Sequence, residues 1–197
     1  MMTRRDFLLA SAFAVTPLGA AHRTPPGDVG VNTSSLARQV RATATDQRID
    51  PFDLPQLLRD EIGVRVIDLV HTTLATREPR SLERFRARAE AAGCVITNLK
   101  VNAHDLPFDG DDPAARRAAI AEYKHWIDAA ALLGTRWLRP YPAKQAPRWE
   151  NLVAGYRELA EYAQPRGITL LVENYLWLER QPDAVPRLVQ ALPGLVA

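Results

Sequence analysis

The sequence predicts a parallel α/β fold, on three observations. Short, nearly continuous apolar runs alternate with longer amphipathic ones. A glycine stands between each amphipathic run and the apolar run that follows it. The strand-like segments carry polar or charged side chains at their carboxyl ends. Apolar strands separated by helices mean right-handed crossovers between parallel strands buried on both faces. Two architectures satisfy this pattern, a (β/α) barrel and a doubly wound sheet.

The strands are expected at Val29 to Asn32, Arg65 to Val70, Val95 to Val101, Arg136 to Arg139 and Ile168 to Glu173. The first helix takes its apolar stripe from Leu54, Leu57, Leu58 and Ile62, and the second from Leu82, Phe85, Ala89 and Ala92. The third, Pro113 to Leu133, opens on a proline suited to the first turn of a helix and aligns Ile120, Tyr123, Ile127, Ala130 and Ala131. The fourth aligns Leu152, Tyr156, Leu159 and Ala163. Gly63, Gly93, Gly134 and Gly167 each follow a helix and precede a strand, where a residue able to adopt positive φ ends the helix. The first strand runs into Val31-Asn32-Thr33-Ser34-Ser35, with no glycine-rich phosphate-binding turn. No P-loop pattern occurs elsewhere, which argues against nucleotide-binding versions of the fold.

Composition narrows the function. The 197 residues are 47% hydrophobic and 24% charged, enough for one globular domain with a proper core. The 25 basic and 23 acidic residues are interspersed and give a net charge of +2, so no basic footprint for nucleic acid stands out. The single cysteine, Cys94, flanked by Val95 and Ile96, is expected to be a buried, inert thiol. The amino terminus reads Met1-Met2-Thr3-Arg4-Arg5-Asp6-Phe7-Leu8-Leu9, then an apolar stretch through Val15 and small residues to Ala21. Paired arginines before a modest apolar region match a twin-arginine export signal, too short to make a stable membrane span. The expected organisation is a signal peptide over 1–21, a linker over 22–27 and an incomplete (β/α) barrel domain over 28–197, with a periplasmic or exported location.

Chemistry in a parallel α/β fold gathers at the carboxyl ends of strands. Those ends present Asn32 and Ser34, Asp68 and His71, then Lys100, Asn102 and His104, Arg139 and Tyr141, and finally Glu173, Asn174 and Tyr175. The set suits a small polyhydroxylated ligand. Glu173 stands out, since a carboxylate closing the apolar run Ile168-Thr169-Leu170-Leu171-Val172 is costly to bury and belongs at an open mouth. His125 falls inside the third helix and is expected to be structural or exposed. Asp105, Asp109, Asp111 and Asp112 form an acidic loop whose expected role is solvation and capping of the next helix.

Three segments carry a family resemblance: Asn32-Thr33-Ser34-Ser35-Leu36 after the first strand, Ile96-Thr97-Asn98-Leu99-Lys100-Val101-Asn102 on the third, and Leu171-Val172-Glu173-Asn174 on the fifth. In order and spacing, roughly residues 28 to 197 resemble the xylose isomerase-like TIM barrels, the sugar phosphate isomerase and epimerase superfamily. The resemblance implies a (β/α)8 barrel and a divalent metal, manganese, magnesium, cobalt or zinc, with Glu173 as its first ligand and as a catalytic carboxylate. It implies isomerisation or epimerisation of a small sugar-like carbonyl compound, and the strand-end residues Asn32, His71, Lys100, Asn102, His104, Arg139 and Asn174 are the expected substrate-binding groups. The family's other metal ligands come from its sixth to eighth strands, whereas this sequence ends at Leu195-Val196-Ala197. The expectation is therefore a partial barrel of about five strand-helix units, truncated at its carboxyl end. Its open sheet edges are a possible surface for homo-oligomers. An inactive fragment and a non-enzymatic periplasmic binding module are the alternatives.

Overall fold

A computed structural model describes residues 29–40 and 49–197. The expected signal peptide (1–21) and linker (22–27) lie outside the described residues. Five strands form one parallel sheet in chain order: β1 (Gly30–Asn32), β2 (Val66–Val70), β3 (Val95–Val101), β4 (Trp137–Pro140) and β5 (Thr169–Leu170). Helices α1 (Leu54–Leu57), α2 (Pro79–Ala91), α3 (Pro113–Leu133) and α4 (Trp149–Ala163) connect them, and α5 (Ala184–Ala191) follows β5. The strictly sequential strand order is that of a barrel wall, not of a doubly wound sheet, in which the order reverses.

The four predicted helix-stopping glycines all lie in the left-handed region, with φ of 75° at Gly63, 68° at Gly93, 72° at Gly134 and 72° at Gly167. The third helix starts at Pro113, and Asp112 caps it by accepting a hydrogen bond from the Ala114 amide (2.8 Å). Two expectations need correction. Ile62 leaves the apolar stripe and is 57% exposed, because α1 widens into a π turn over Leu58–Ile62 that rotates it outward. The fifth strand stops at Leu170 instead of running to Glu173. Its partner β4 ends in Pro140, which has no N–H to continue the ladder. Leu171 instead forms a parallel bridge with Val196, and the Val172 amide donates to the Val196 carbonyl (2.8 Å).

The two faces of the sheet differ sharply. On one, Leu69, Leu99, Leu138 and Leu170 stand side by side in register, each at most 1% exposed, under Phe85, Tyr123, Ile127 and Leu159 of the helices. Burial of this aliphatic ridge is the main stabilising layer. On the other face the registered neighbours are Asn32, Asp68, Asn98 and Trp137, followed one row higher by Lys100 and Arg139. A register shift between Ile67 and Asp68 places Thr97 as an extra residue of β3. Ile67 pairs with Ile96, while Asp68 pairs with Asn98.

Candidate active site

The polar face of the sheet carries a connected set of charges. On β2, Asp68 accepts a hydrogen bond from the Asn98 amide group (3.0 Å) and lies 3.6 Å from the Lys100 ammonium. Lys100 also approaches Glu173 Oε1 at 3.7 Å, and Arg139 Nε stands 3.0 Å from Glu173 Oε2. Two cations on neighbouring strands thus face two carboxylates, with Lys100 and Arg139 in register. Burial pushes the Asp68 carboxyl above its ordinary value, against the lowering pull of Lys100, Asn98 and Arg139.

Arg139 is 4% exposed, and its Nη2 donates to Asn102 Oδ1 at 2.6 Å. Its Nε and Nη1 make no hydrogen bond. The Nε contact with Glu173 is therefore an ion pair by distance without donor alignment. Asn98 Oδ1, equally buried, also lacks a donor. Asn98, Lys100, Arg139, Glu173 and Asn174 line the polar side of a cavity of about 490 Å3, and Leu171, Val185 and Pro186 its apolar side. That volume suits a small ligand.

Of the residues predicted for the site, Lys100, Arg139, Glu173 and Asn174 meet at this cavity. Asn102 and His71 stand behind it. The Asn102 amide donates to His71 Nδ1 (3.1 Å), so a neutral His71 carries its proton on Nε2. The His71 ring packs edge-on to Trp126 at 5.2 Å, and burial lowers its pKa. His104 lies apart from this set. It is exposed and packs against Tyr141 (4.4 Å between ring centroids), which in turn meets Tyr175 (5.6 Å). Burial and Tyr175 push the Tyr141 hydroxyl up to about 12. Asn32 spends its side-chain oxygen on its own turn, accepting from the Ser34 amide (3.0 Å) and hydroxyl (2.8 Å).

Sequence reasoning did not single out Asn98, and it named Asp68 without choosing it. Asp68 carries the same signal as Glu173, a carboxylate inside the apolar run Val66-Ile67-Asp68-Leu69-Val70. The acidic loop keeps its expected capping role at Asp112, and Asp105 and Asp111 are exposed, but it does more than that. Asp111 binds Asn151 (2.6 Å) and the Arg148 amide (3.2 Å), while Asp109 is fully buried.

The divalent metal implied by the resemblance can be tested against the donors present. Among the described residues, no three His, Cys, Asp or Glu side chains converge. The carboxylate expected to lead the ligand set faces an ammonium and a guanidinium. By themselves the described residues do not fit a divalent cation, which needs several oxygen or nitrogen donors without competing positive charge.

Comparison with known proteins agrees with the fold. The structure superposes on the "Putative Xylose isomerase" of Rhodospirillum rubrum with a TM-score of 0.69 at 17% identity, covering 86% of this chain and 62% of that one. The probable 3-DHS dehydratase of Bacillus anthracis gives 0.64 at 18% identity, with 85% and 61% covered. The D-psicose 3-epimerase of Clostridium cellulolyticum, solved with D-tagatose, gives 0.60 at 15% identity, with 81% and 59% covered. At these identities the likeness is one of fold, and the chain spans about 60% of the length of these proteins. No curated protein matches the sequence. Residues 58–193 match the sequence profile of a known domain family, more than half of the chain. The chain belongs to the xylose isomerase-like TIM barrel family.

Proposed function

We propose that this chain carries part of an active site that isomerises or epimerises a small polyhydroxylated carbonyl compound. The observation that supports this reading is the meeting of Glu173, Lys100 and Arg139 at the mouth of one cavity. Such a reaction moves a proton on or off a carbon beside a carbonyl, and the negative charge that develops on the carbonyl oxygen must be stabilised. Glu173, 41% exposed and at the cavity, is the group assigned to exchange the proton. Lys100 and Arg139 supply the positive charge for the developing oxyanion. Asn98 and Asn174 offer amides to substrate hydroxyls. The described donors do not fit a metal, so in this reading the stabilising charge comes from Lys100 and Arg139. An exported location belongs to the same proposal, on the strength of Arg4, Arg5 and the apolar stretch that follows them. No described helix is long and apolar enough to cross a membrane.

Solvent exchange tests the reading. The full chain, incubated in deuterated water with D-fructose, D-tagatose or D-xylose, is expected to place deuterium on the carbon next to the carbonyl of at least one sugar. Glu173→Gln is expected to abolish the exchange. Absence of exchange with every sugar in a panel of ketoses and aldoses, neutral and anionic, refutes the proposal.

A further inference from the structure

We propose that His71 is a positioning residue for this site: its unprotonated Nδ1 fixes the Asn102 backbone, Asn102 fixes the Arg139 guanidinium, and protonation of His71 releases both. The inference rests on the cavity being the site of the proposed reaction and adds its regulation. A site held in this way is assembled above the titration of His71 and loosened below it.

The relay follows from where strand pairing stops. β2 ends at Val70, opposite Lys100, while β3 runs on to Val101. The Asn102 amide lies beyond that ladder, and the His71 ring nitrogen accepts its hydrogen bond at 3.1 Å in place of a strand carbonyl. The side-chain oxygen of the same asparagine accepts from Arg139 Nη2 at 2.6 Å. Since Nε and Nη1 of Arg139 make no hydrogen bond, the Asn102 contact sets the direction of the guanidinium that faces the cavity. Misplacing a charge aimed at a developing oxyanion by about 1 Å costs on the order of a hundredfold in rate.

His71 is itself held in place. The turn that carries it is tied down by buried Thr33, whose hydroxyl oxygen accepts from the Val70 amide and from the Thr73 hydroxyl, each at 2.8 Å. The His71 ring packs edge-on against Trp126 of α3 at 5.2 Å, and Arg77, paired with Glu122 at 2.5 Å, lies 4.5 Å over the same indole. An Nδ1 that accepts a hydrogen bond must carry no proton. Burial disfavours the charged ring, and Arg139 of β4 and Arg77 ahead of α2 disfavour it further. The Lys100 carbonyl of β3 and Asp105 of the loop after β3 act the other way. From α3 the ring meets the uncharged Trp126, and the charge of Glu122 is taken up by Arg77. The balance lies below the ordinary 6.5, so the folded protein keeps His71 neutral at pH 7. In acid both ring nitrogens become donors. The Asn102 amide then loses its acceptor, and the ring is drawn to the Lys100 carbonyl, the backbone contact that favours its charged form.

Proton and nitrogen NMR of the full chain tests the relay without any ligand. At neutral pH the His71 ring is expected with its proton on Nε2. As the pH falls, the Asn102 amide and Arg139 Nε signals are expected to shift with the midpoint of His71, below 6.5. His71→Phe keeps a ring against Trp126 and removes the acceptor. It is expected to move the same two signals at neutral pH and to slow deuterium exchange into a reactive sugar about ten- to a hundredfold. His71→Asn has a side-chain oxygen that accepts near the place of Nδ1 and does not titrate. It is expected to recover most of that rate and to abolish the part of the Arg139 shift that follows His71. A proton on Nδ1 at neutral pH, an Arg139 signal indifferent to the His71 titration, or an asparagine variant that leaves the Arg139 shift in place overturns the inference. The wild-type titration and the asparagine variant carry the test if the phenylalanine variant does not fold. If the NMR titration shows the relay and no sugar exchanges deuterium, the positioning of Arg139 by His71 stands and the proposed reaction falls.

Discussion

The carboxyl group of Asp109 accepts one hydrogen bond from the Ala143 amide, at 3.2 Å, and leaves its other oxygen without a partner in a fully buried position. The contact ties the loop after β3 to the loop after β4, the two loops that carry Asn102, His104 and Tyr141. Burial pushes the Asp109 carboxyl up to about 6, against the lowering effect of the Ala143 amide.

Because the folded-state value lies above the ordinary 3.8, the folded protein holds this proton more tightly than the unfolded chain does. Its contribution to stability is full below pH 3.8 and is lost as the pH rises through about 6. A shift of this size corresponds to about 3 kcal/mol. Asp109→Asn keeps an acceptor for Ala143 without a titrating charge. It is expected to raise stability at pH 7.5 by about 2 kcal/mol and to flatten the loss between pH 4 and pH 6. Urea unfolding across that range measures both, and an unchanged pH slope in the variant contradicts the assignment.

Gly155 of α4 lies against the loop of Asp109. A β-carbon there would sit 2.4 Å from the Phe108 carbonyl oxygen, which is backbone and cannot turn aside. Gly155→Ala is expected to destabilise the protein by about 1–3 kcal/mol. At roughly 2–4 °C per kcal/mol for a chain of this size, the drop is visible in a thermal melt.

Tyr123, 0% exposed, accepts a hydrogen bond from the Tyr141 amide at 3.0 Å. Tyr123→Phe preserves the ring packing against Phe108 and leaves that amide without an acceptor. The expected cost is about 1–3 kcal/mol. The accompanying change is local, a shift in the ring signals of Tyr141 and His104 seen by NMR, with the signals of α2 unmoved.

Cys94 is 4% exposed, its sulfur lies 3.4 Å from the Pro55 carbonyl, and burial pushes its thiol up. The native protein is expected to resist a thiol-specific disulfide reagent at pH 8 and to react only as fast as it unfolds. Rapid stoichiometric labelling of the folded chain would show the burial to be wrong.

Much of the fold was legible in the sequence because it rests on local signals. The apolar stripe of α3, the proline at its start and the four glycines each report a conformation decided within a few residues, and each appears where expected. The site was legible only in part. Glu173 and Lys100 announced themselves as charges within apolar strands, but their pairing depends on register between β3, β4 and the segment after β5, which no single segment encodes. His104 and Asn32 occupy the right strand ends and are drawn elsewhere, to Tyr141 and to Ser34, by neighbours that strand-end position does not reveal. Asp109 was indistinguishable from its acidic neighbours. Its burial comes from the approach of α4 through Gly155, forty-six residues away in sequence (155 minus 109).

The extra residue in β3 acts on the site as an insertion acts on a reading frame. Ahead of Thr97, β3 matches isoleucine with isoleucine across β2; beyond it, Asp68 meets Asn98 and Val70 meets Lys100. Without that shift Asp68 would meet Thr97, and Asn98 and Lys100 would fall out of step with it. A single backbone unit therefore decides which side chains read as one polar row. Deleting Thr97 would flatten the bulge and leave Asp68 opposite Asn98, whereas pairing the intact strand without the shift would rewrite the site while every side chain proposed to contact the ligand stayed in the sequence.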